Sequence, residues 1–189
     1  GVPAATGTPP VSRAIASSVN NCKEKFTMAM PCYLTLEGQN QGKIEGSCEI
    51  TGHTGKILIQ AVDHTIEIPK NPQSGLPSGK RQHLGLTLVK EIDKSSPKIY
   101  QALCSGEQMK TVTLEFYRIS PKGTEEKYYT IQLENAVIVG TRLWVPNCLQ
   151  PDNRQLGHME DVAMTYEKIV WTWVPDGIEA EDSWLAPKS

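Results

Sequence analysis

Residues 158–173 read HMEDVAMTYEKIVWTW, and two apolar series run through them: Val162, Met164 and Tyr166 at even positions, Ile169, Trp171 and Trp173 at odd ones. Alternation with a period of two is the mark of a strand with one face in a core. One β register cannot keep both series on the same face, so an extra residue is expected near Glu167 or Lys168, where the parity changes. The same period appears upstream. Val112, Leu114 and Phe116 alternate with Thr113, Glu115 and Tyr117, and Leu84, Leu86 and Leu88 alternate with Gly85 and Thr87. Ser120-Pro121-Lys122-Gly123 places proline second and glycine fourth, as a type I turn prefers, which joins the strand at 112–117 to the next as a hairpin. That next run carries Tyr129, Ile131 and Leu133 on one face and meets Asn135 where an apolar residue is due, so a bulge or strand break is expected there. CYLTLE at 32–37 and the β-rich parts of GKILIQAVDHTIEIP, around 57–61 and 64–68, complete the set. The last ends at a proline that cannot donate to a ladder.

One segment reads as a helix. Ser96 is placed to cap it, Pro97 suits its first position, Ile99, Ala102 and Leu103 form an apolar stripe, and Gly106 can close it. Many strands with a lone helix predict a mainly β fold, an antiparallel barrel or sandwich with one helix packed on its side. The 189 residues have room for one such domain. Residues 30–189 carry the pattern. Residues 1–29 are small, Pro-rich and polar without the continuous apolar core of a secretory signal, and are expected to be an extension or upstream remnant, with Met28 and Met30 as candidate initiators.

Hydrophobic residues make up 39% and charged residues 21% of the chain, the balance of a globular protein, and no apolar run reaches membrane length. Nineteen Lys and Arg against twenty-one Asp and Glu leave a formal charge of -2. Nothing global draws such a chain onto nucleic acid or anionic lipid, and neither is expected as a partner. The five cysteines, at 22, 32, 48, 104 and 148, contain no C-x-x-C pair and are read mostly as free thiols of a protein made in a reducing compartment.

The sequence offers little catalytic chemistry. GLPSGKR at 75–81 brings glycine, serine and lysine together, but only three residues separate Gly75 from Gly79, and Arg81 stands where a phosphate loop needs Ser or Thr. It reads as a mildly basic surface loop. Ser78 is not in a G-x-S-x-G elbow, and His158-Met159-Glu160 lacks the P-C-x-x-C half of a zinc deaminase signature. His53, His64, His83 and His158 show no ligand spacing and are read as satisfied surface or turn side chains. Asp176, Glu179, Glu181 and Asp182 lack the pattern of a calcium loop and read as a solvated tail, while Trp171 and Trp173 read as core or interface aromatics. No catalytic residue, metal or cofactor is expected, and the chain is not expected to be an enzyme.

Five blocks in order, MPCYLTLEGQNQGKIEG from Met30, HTIEIPKNPQSGLPSGKRQH from His64, KEIDKSSPKIYQALCSGE from Lys90, VTLEFYR from Val112 and HMEDVAMTYEKIVWTW from His158, resemble the Hcp (haemolysin-coregulated protein) family, the inner tube of bacterial type VI secretion. The resemblance implies a compact, tail-tube-like antiparallel β-barrel of two sheets with one flanking α-helix, placed at 96–105, and no catalytic residues. It implies homohexameric rings that stack into a hollow tube, with sheath and spike proteins of the secretion machine and small effector proteins in the lumen as partners. It further implies synthesis in the bacterial cytoplasm and export without a cleaved signal peptide. The loop of Asn71, Pro72, Gln73, Ser74, Gly75, Leu76, Pro77, Ser78, Gly79, Lys80 and Arg81 is then expected to reach neighbouring subunits, its glycines allowing close approach and Lys80 and Arg81 meeting acidic groups there. Residues before about Met28 have no counterpart in the family pattern, and no toxin domain is expected after the barrel. A secreted adhesin or host-cell ligand acting apart from the tube is the alternative.

Overall fold

The computed structural model describes Gly1, Met30 and residues 32–184; the extension expected over residues 1–29 lies, Gly1 aside, outside them. In chain order the elements are β1 (Cys32–Gly38), β2 (Gly42–Ile44), β3 (Ile57–Ile59), β4 (Ala61–Glu67), β5 (Gln82–Glu91), α1 (Ser96–Ser105), β6 (Gln108–Ile119), β7 (Glu125–Glu134), β8 (Ala136–Trp144), β9 (Met159–Thr165), β10 (Lys168–Trp173) and β11 (Ile178–Ser183). Ladders run β11-β10-β7-β6-β8-β9-β5-β4, and β1 branches from β6 carrying β2 and β3. The fold is the expected mainly β architecture with one helix. The strands expected as two sheets are arms of one continuous, strongly curled antiparallel sheet.

The curl has a local origin. Asn135 takes a φ of 50°, a left-handed conformation that asparagine tolerates better than most residues, and breaks one long run into β7 and β8. Alongside it, Tyr166 and Glu167 separate β9 from β10. The first half of each run pairs with the second half of the other: β8 lies beside β9, with Val137 opposite Thr165, and β7 lies beside β10, with Glu134 opposite Lys168. The two long strands therefore bend at the same level. The bend is tied by Asn135 Nδ2 donating to Glu167 Oε2 at 2.7 Å and by Glu167 N–H donating to the Glu134 carbonyl at 3.1 Å. Both irregularities expected from parity are present, and Val162, Met164, Tyr166 and Ile169 all end in the core.

That core also holds Leu34, Leu36, Leu88, Leu114 and Leu133, and it is covered by Ile99 and Ala102 of α1. Two expectations need correction. Leu84 is 61% exposed while His83 is buried, because Gly85 takes a φ of 88° and inserts a bulge. Against β4 the register steps from His64–Leu86 to Ile66–His83, which shifts the inward parity of β5 by one residue. At the helix start Ser95 holds the cap position and Ser96 is the first helical residue. The Ser96 hydroxyl turns into the barrel instead, to partners described below. Gly106 does close the helix, at a φ of 65°.

Gly46 is buried with its Cβ position only 2.3 Å from the Lys56 carbonyl oxygen and 2.6 Å from Ile57 Cα, so a methyl group has no room beside β3. We expect Gly46→Ala to lose about 1–3 kcal/mol of stability in a urea unfolding curve, the range of a small overpacking lesion.

Candidate functional site

Between β4 and β5 the chain leaves the barrel. Residues 70–80 are exposed throughout, yet they are internally bonded. Lys70 and Pro77 form an isolated bridge, Asn71 N–H donates to the Leu76 carbonyl at 2.9 Å, and Gly75 N–H donates to the Asn71 carbonyl at 2.8 Å. Asn71 Oδ1 accepts from Gln73 N–H, and Ser78 N–H donates to the Pro69 carbonyl, both at 2.8 Å. Gly75 takes a φ of 69°, the one position of the loop that needs glycine for its backbone angle; a Cβ at Gly79 would make only ordinary contact with Pro69. The result is a small hairpin with Leu76, 66% exposed, near its tip.

The base of the loop is pinned to the far edge of the sheet. The Arg81 guanidinium grips Asp182 of β11 with two N–H groups, one to each carboxylate oxygen, and also donates to the Ser183 carbonyl. His83 Nε2 lies 3.0 Å from the same carboxylate, and its Nδ1 lies 2.8 Å from the Tyr166 hydroxyl. His64 Nε2 of β4 lies 2.6 Å from that hydroxyl, and Trp184 stacks over His83 at 5.4 Å between ring centres. Arg81 thus meets an acidic group on its own chain, which leaves Lys70 at the start and Lys80 at the end as the cations carried on the exposed loop. Of the acidic run expected as a solvated tail, Asp176, Glu179 and Glu181 are exposed, but the last two stand on the edge strand β11, and Asp182 beside them is folded in because Arg81 and His83 supply donors. Those Arg81 bonds hold the Asp182 carboxyl below the usual carboxylate range. Burial pushes the Tyr166 phenol upward.

The histidines divide. His158 is exposed, as expected, and His64 is half-buried, but His83 and His53 lie within the protein. His53 stacks on Tyr33 with ring centres 3.8 Å apart and meets Glu125 through Nε2 at 3.0 Å. Apolar alternation did not single out these imidazoles because aromatic and hydrogen-bonded contacts hold them. Trp171 packs against the core, while Trp173 stands beside Arg118 and Tyr128 and donates Nε1–H to Asp176.

A second polar cluster was not expected. Lys90 on β5 and Glu160 on β9 are opposite residues in the ladder, 1% and 0% exposed, with Nζ 2.7 Å from Oε1. The other Lys90 protons reach the Glu91 carbonyl and Asp93 Oδ1, while Ser96 Oγ donates to Glu160 and accepts from Asp93 N–H. The cluster clamps the start of α1 to the barrel wall. Parity was the signal for it: Lys90 continues the inward series of Leu86 and Leu88, and Glu160 that of Val162 and Met164. Burial works against the ionised Asp93, but hydrogen bonds from Ser95, Lys90 and Ser47 keep its carboxyl below the usual range.

The family model described as "Type VI secretion system effector, Hcp" matches residues 33–173, from β1 to the end of β10. The "Major exported protein" of Pseudomonas aeruginosa is 39% identical over 169 residues, which cover 85% of this chain and 98% of that protein. A solved Hcp protein superimposes with a TM-score of 0.77 at 32% identity, over 82% of this chain and 97% of its own. The secreted protein Hcp3 from Pseudomonas aeruginosa gives a TM-score of 0.68 at 33% identity over the same shares of the two chains. A curled β-barrel with one clamped helix, matched along nearly all its strands, falls in the class of type VI secretion proteins. The chain belongs to the Hcp family.

Removing one partner of the Lys90–Glu160 pair strands a buried charge. Glu160→Ala is expected to cost about 3–5 kcal/mol in guanidinium unfolding. The double variant Lys90→Met/Glu160→Leu, which removes both charges, is expected to lose far less.

Proposed function

We propose that this chain is a subunit of the type VI secretion tube: six copies close into a ring, rings stack into a hollow tube, and the tube is expelled from the cell. The observation that carries the reading is the family match along the barrel. Sheath and spike proteins of the machine, and small effector proteins held in the lumen, are its partners. Synthesis in the bacterial cytoplasm and export without a cleaved signal follow from the same reading, and the role is that of a structural part and carrier without turnover.

Ring closure requires a heterologous contact between unlike patches, and stacking requires a second one. The loop at 71–81 suits such a contact. Its own hydrogen bonds preform it, so little entropy is lost on docking, and it offers Leu76 as an apolar tip and Lys80 as a cation for acidic groups of a neighbour. Arg81 serves instead as the anchor of the loop base.

Light scattering on the full chain after size-exclusion chromatography is expected to give a six-subunit mass, and electron microscopy rings with an open centre. A monomer at every concentration and salt would overturn the ring. Deleting residues 73–79 is expected to abolish assembly without changing the far-ultraviolet circular dichroism; normal tubes from that variant would overturn the loop's role.

A further inference from the structure

Two loops leave the barrel at opposite ends of one ladder. The loop at 71–81 leads into β5 at Gln82, and the loop at 145–158 leads into β9 at Met159, which stands opposite Glu91 at the close of β5. The ten residues of β5 put roughly 30 Å between them.

The second loop is also held by its own bonds. Asn147 accepts from Leu149 N–H through Oδ1 at 3.1 Å and from Asn153 Nδ2 through its carbonyl at 3.0 Å. Leu156 N–H donates to the Asn153 carbonyl at 3.0 Å, and Ile92 N–H ties the loop end to β5 through the His158 carbonyl at 2.9 Å. The loop borders a cleft of about 470 Å³ lined by Val145, Pro146 and Leu156 together with Cys148, Arg154 and His158. Val145 and Leu156 are exposed there, and Leu149, next to Cys148 in sequence, is 88% exposed, the most of any large apolar side chain among the described residues. Apolar surface gathered at a cleft marks a contact site.

The tip of the other loop has the complementary form. From Asn71 to Gly79 the chain carries no charge, Leu76 stands out next to Pro77, and Lys70 and Lys80 come at the roots. Around the cleft, apolar residues and Arg154 lie within, and exposed acids stand at the edge: Asp152 beside Asn153, and Glu91, whose Oε2 lies 3.2 Å from where a Cβ of Gly157 would stand. An uncharged tip puts no like charge opposite Arg154 and offers it backbone carbonyls, while Lys70 and Lys80 suit the acids at the edge. Folded back on itself at the Lys70–Pro77 bridge, the tip reaches only about 15 Å from its root, half the way to the cleft of its own chain. A second copy carries both parts. Its cleft can take this tip while its own tip goes to a third chain, the contact between unlike patches that repetition requires.

We propose that the 145–158 cleft is the seat of the 71–81 loop of a second copy, with Leu76 packed against Val145, Pro146 and Leu156 and with Lys70 and Lys80 meeting Glu91 and Asp152. The assignment rests on the tube reading and gives the loop its receiver.

Native Cys148 lies in the cleft, so one substitution suffices for the test. The full chain carrying Leu76→Cys, assembled and treated with a short bismaleimide, is expected to give linked dimers and higher multimers on gels. Mass spectrometry is expected to find residue 76 joined to residue 148, and Cys148→Ser in the same background to remove that pair. Assembled protein in which residue 76 links only to other cysteines, or to none, overturns the seat and leaves the tube reading standing. A full chain that stays a monomer overturns the tube reading and the seat with it. Independently of cysteine, Leu156→Asp sets a charge in the seat and is expected to raise the concentration for half-assembly roughly tenfold, in protein of unchanged far-ultraviolet circular dichroism. Unchanged assembly of that folded variant overturns the proposal too.

Discussion

The bend shared by two long strands at Asn135 and Glu167 is the constraint on which the barrel rests. A straight pair would continue as a flat ribbon with β6, β7 and β10 at one end and β8 and β9 at the other. Because both strands turn at one level and are tied across the turn, the two arms swing toward each other around a common core. The left-handed angle at Asn135 is affordable because its side chain gains a partner in Glu167. Sheet curvature generated by local irregularity is a general route to closure, and here two irregularities act as one.

Once the arms face each other, polar side chains fix their spacing at two places. The Lys90–Glu160 pair sits inside the wall formed by β5 and β9 and reaches to α1 through Ser96 and Asp93, so the helix cannot slide without stranding a charge. The contacts that join His64, Tyr166, His83, Asp182 and Arg81 do the same work between β4 and β11, the two ends of the ladder order among the described residues. They also determine where the loop at 71–81 departs, since Arg81 lies at the junction of loop and β5. A loop meant to meet a neighbour is useful only if its root is held, and this one is held from the opposite edge of the same sheet.

Much of this was legible. The parity change near Glu167, the interruption at Asn135, the hairpin turn at 120–123 and the helix closing at Gly106 all follow from local patterns, since each depends on one strand face or one backbone angle. Partner choice did not follow, because alternation names a buried face and not the strand beside it. The bulge at Gly85 was hidden by three leucines in a tidy series. His83 and Leu84 exchange places because glycine permits the bulge and the Tyr166–Asp182 network rewards an imidazole inside. Ser96 looked like a cap because hydroxyls cap helices; the buried carboxylate that claims it lies 64 positions away in sequence. Five separated blocks carried the family resemblance, a signal independent of all these local readings.

The edge strands have one more consequence. An unpaired strand is a template that any extended chain can extend into a fibre. On β11, Glu179 and Glu181 are exposed, and on β4 the exposed Asp63 and Glu67 flank a register shift. Acid groups on one border and a kinked, charged strand on the other make indiscriminate strand addition costly for both. Among the described residues both borders thus oppose random strand addition, which leaves shape-specific surfaces to decide how copies meet.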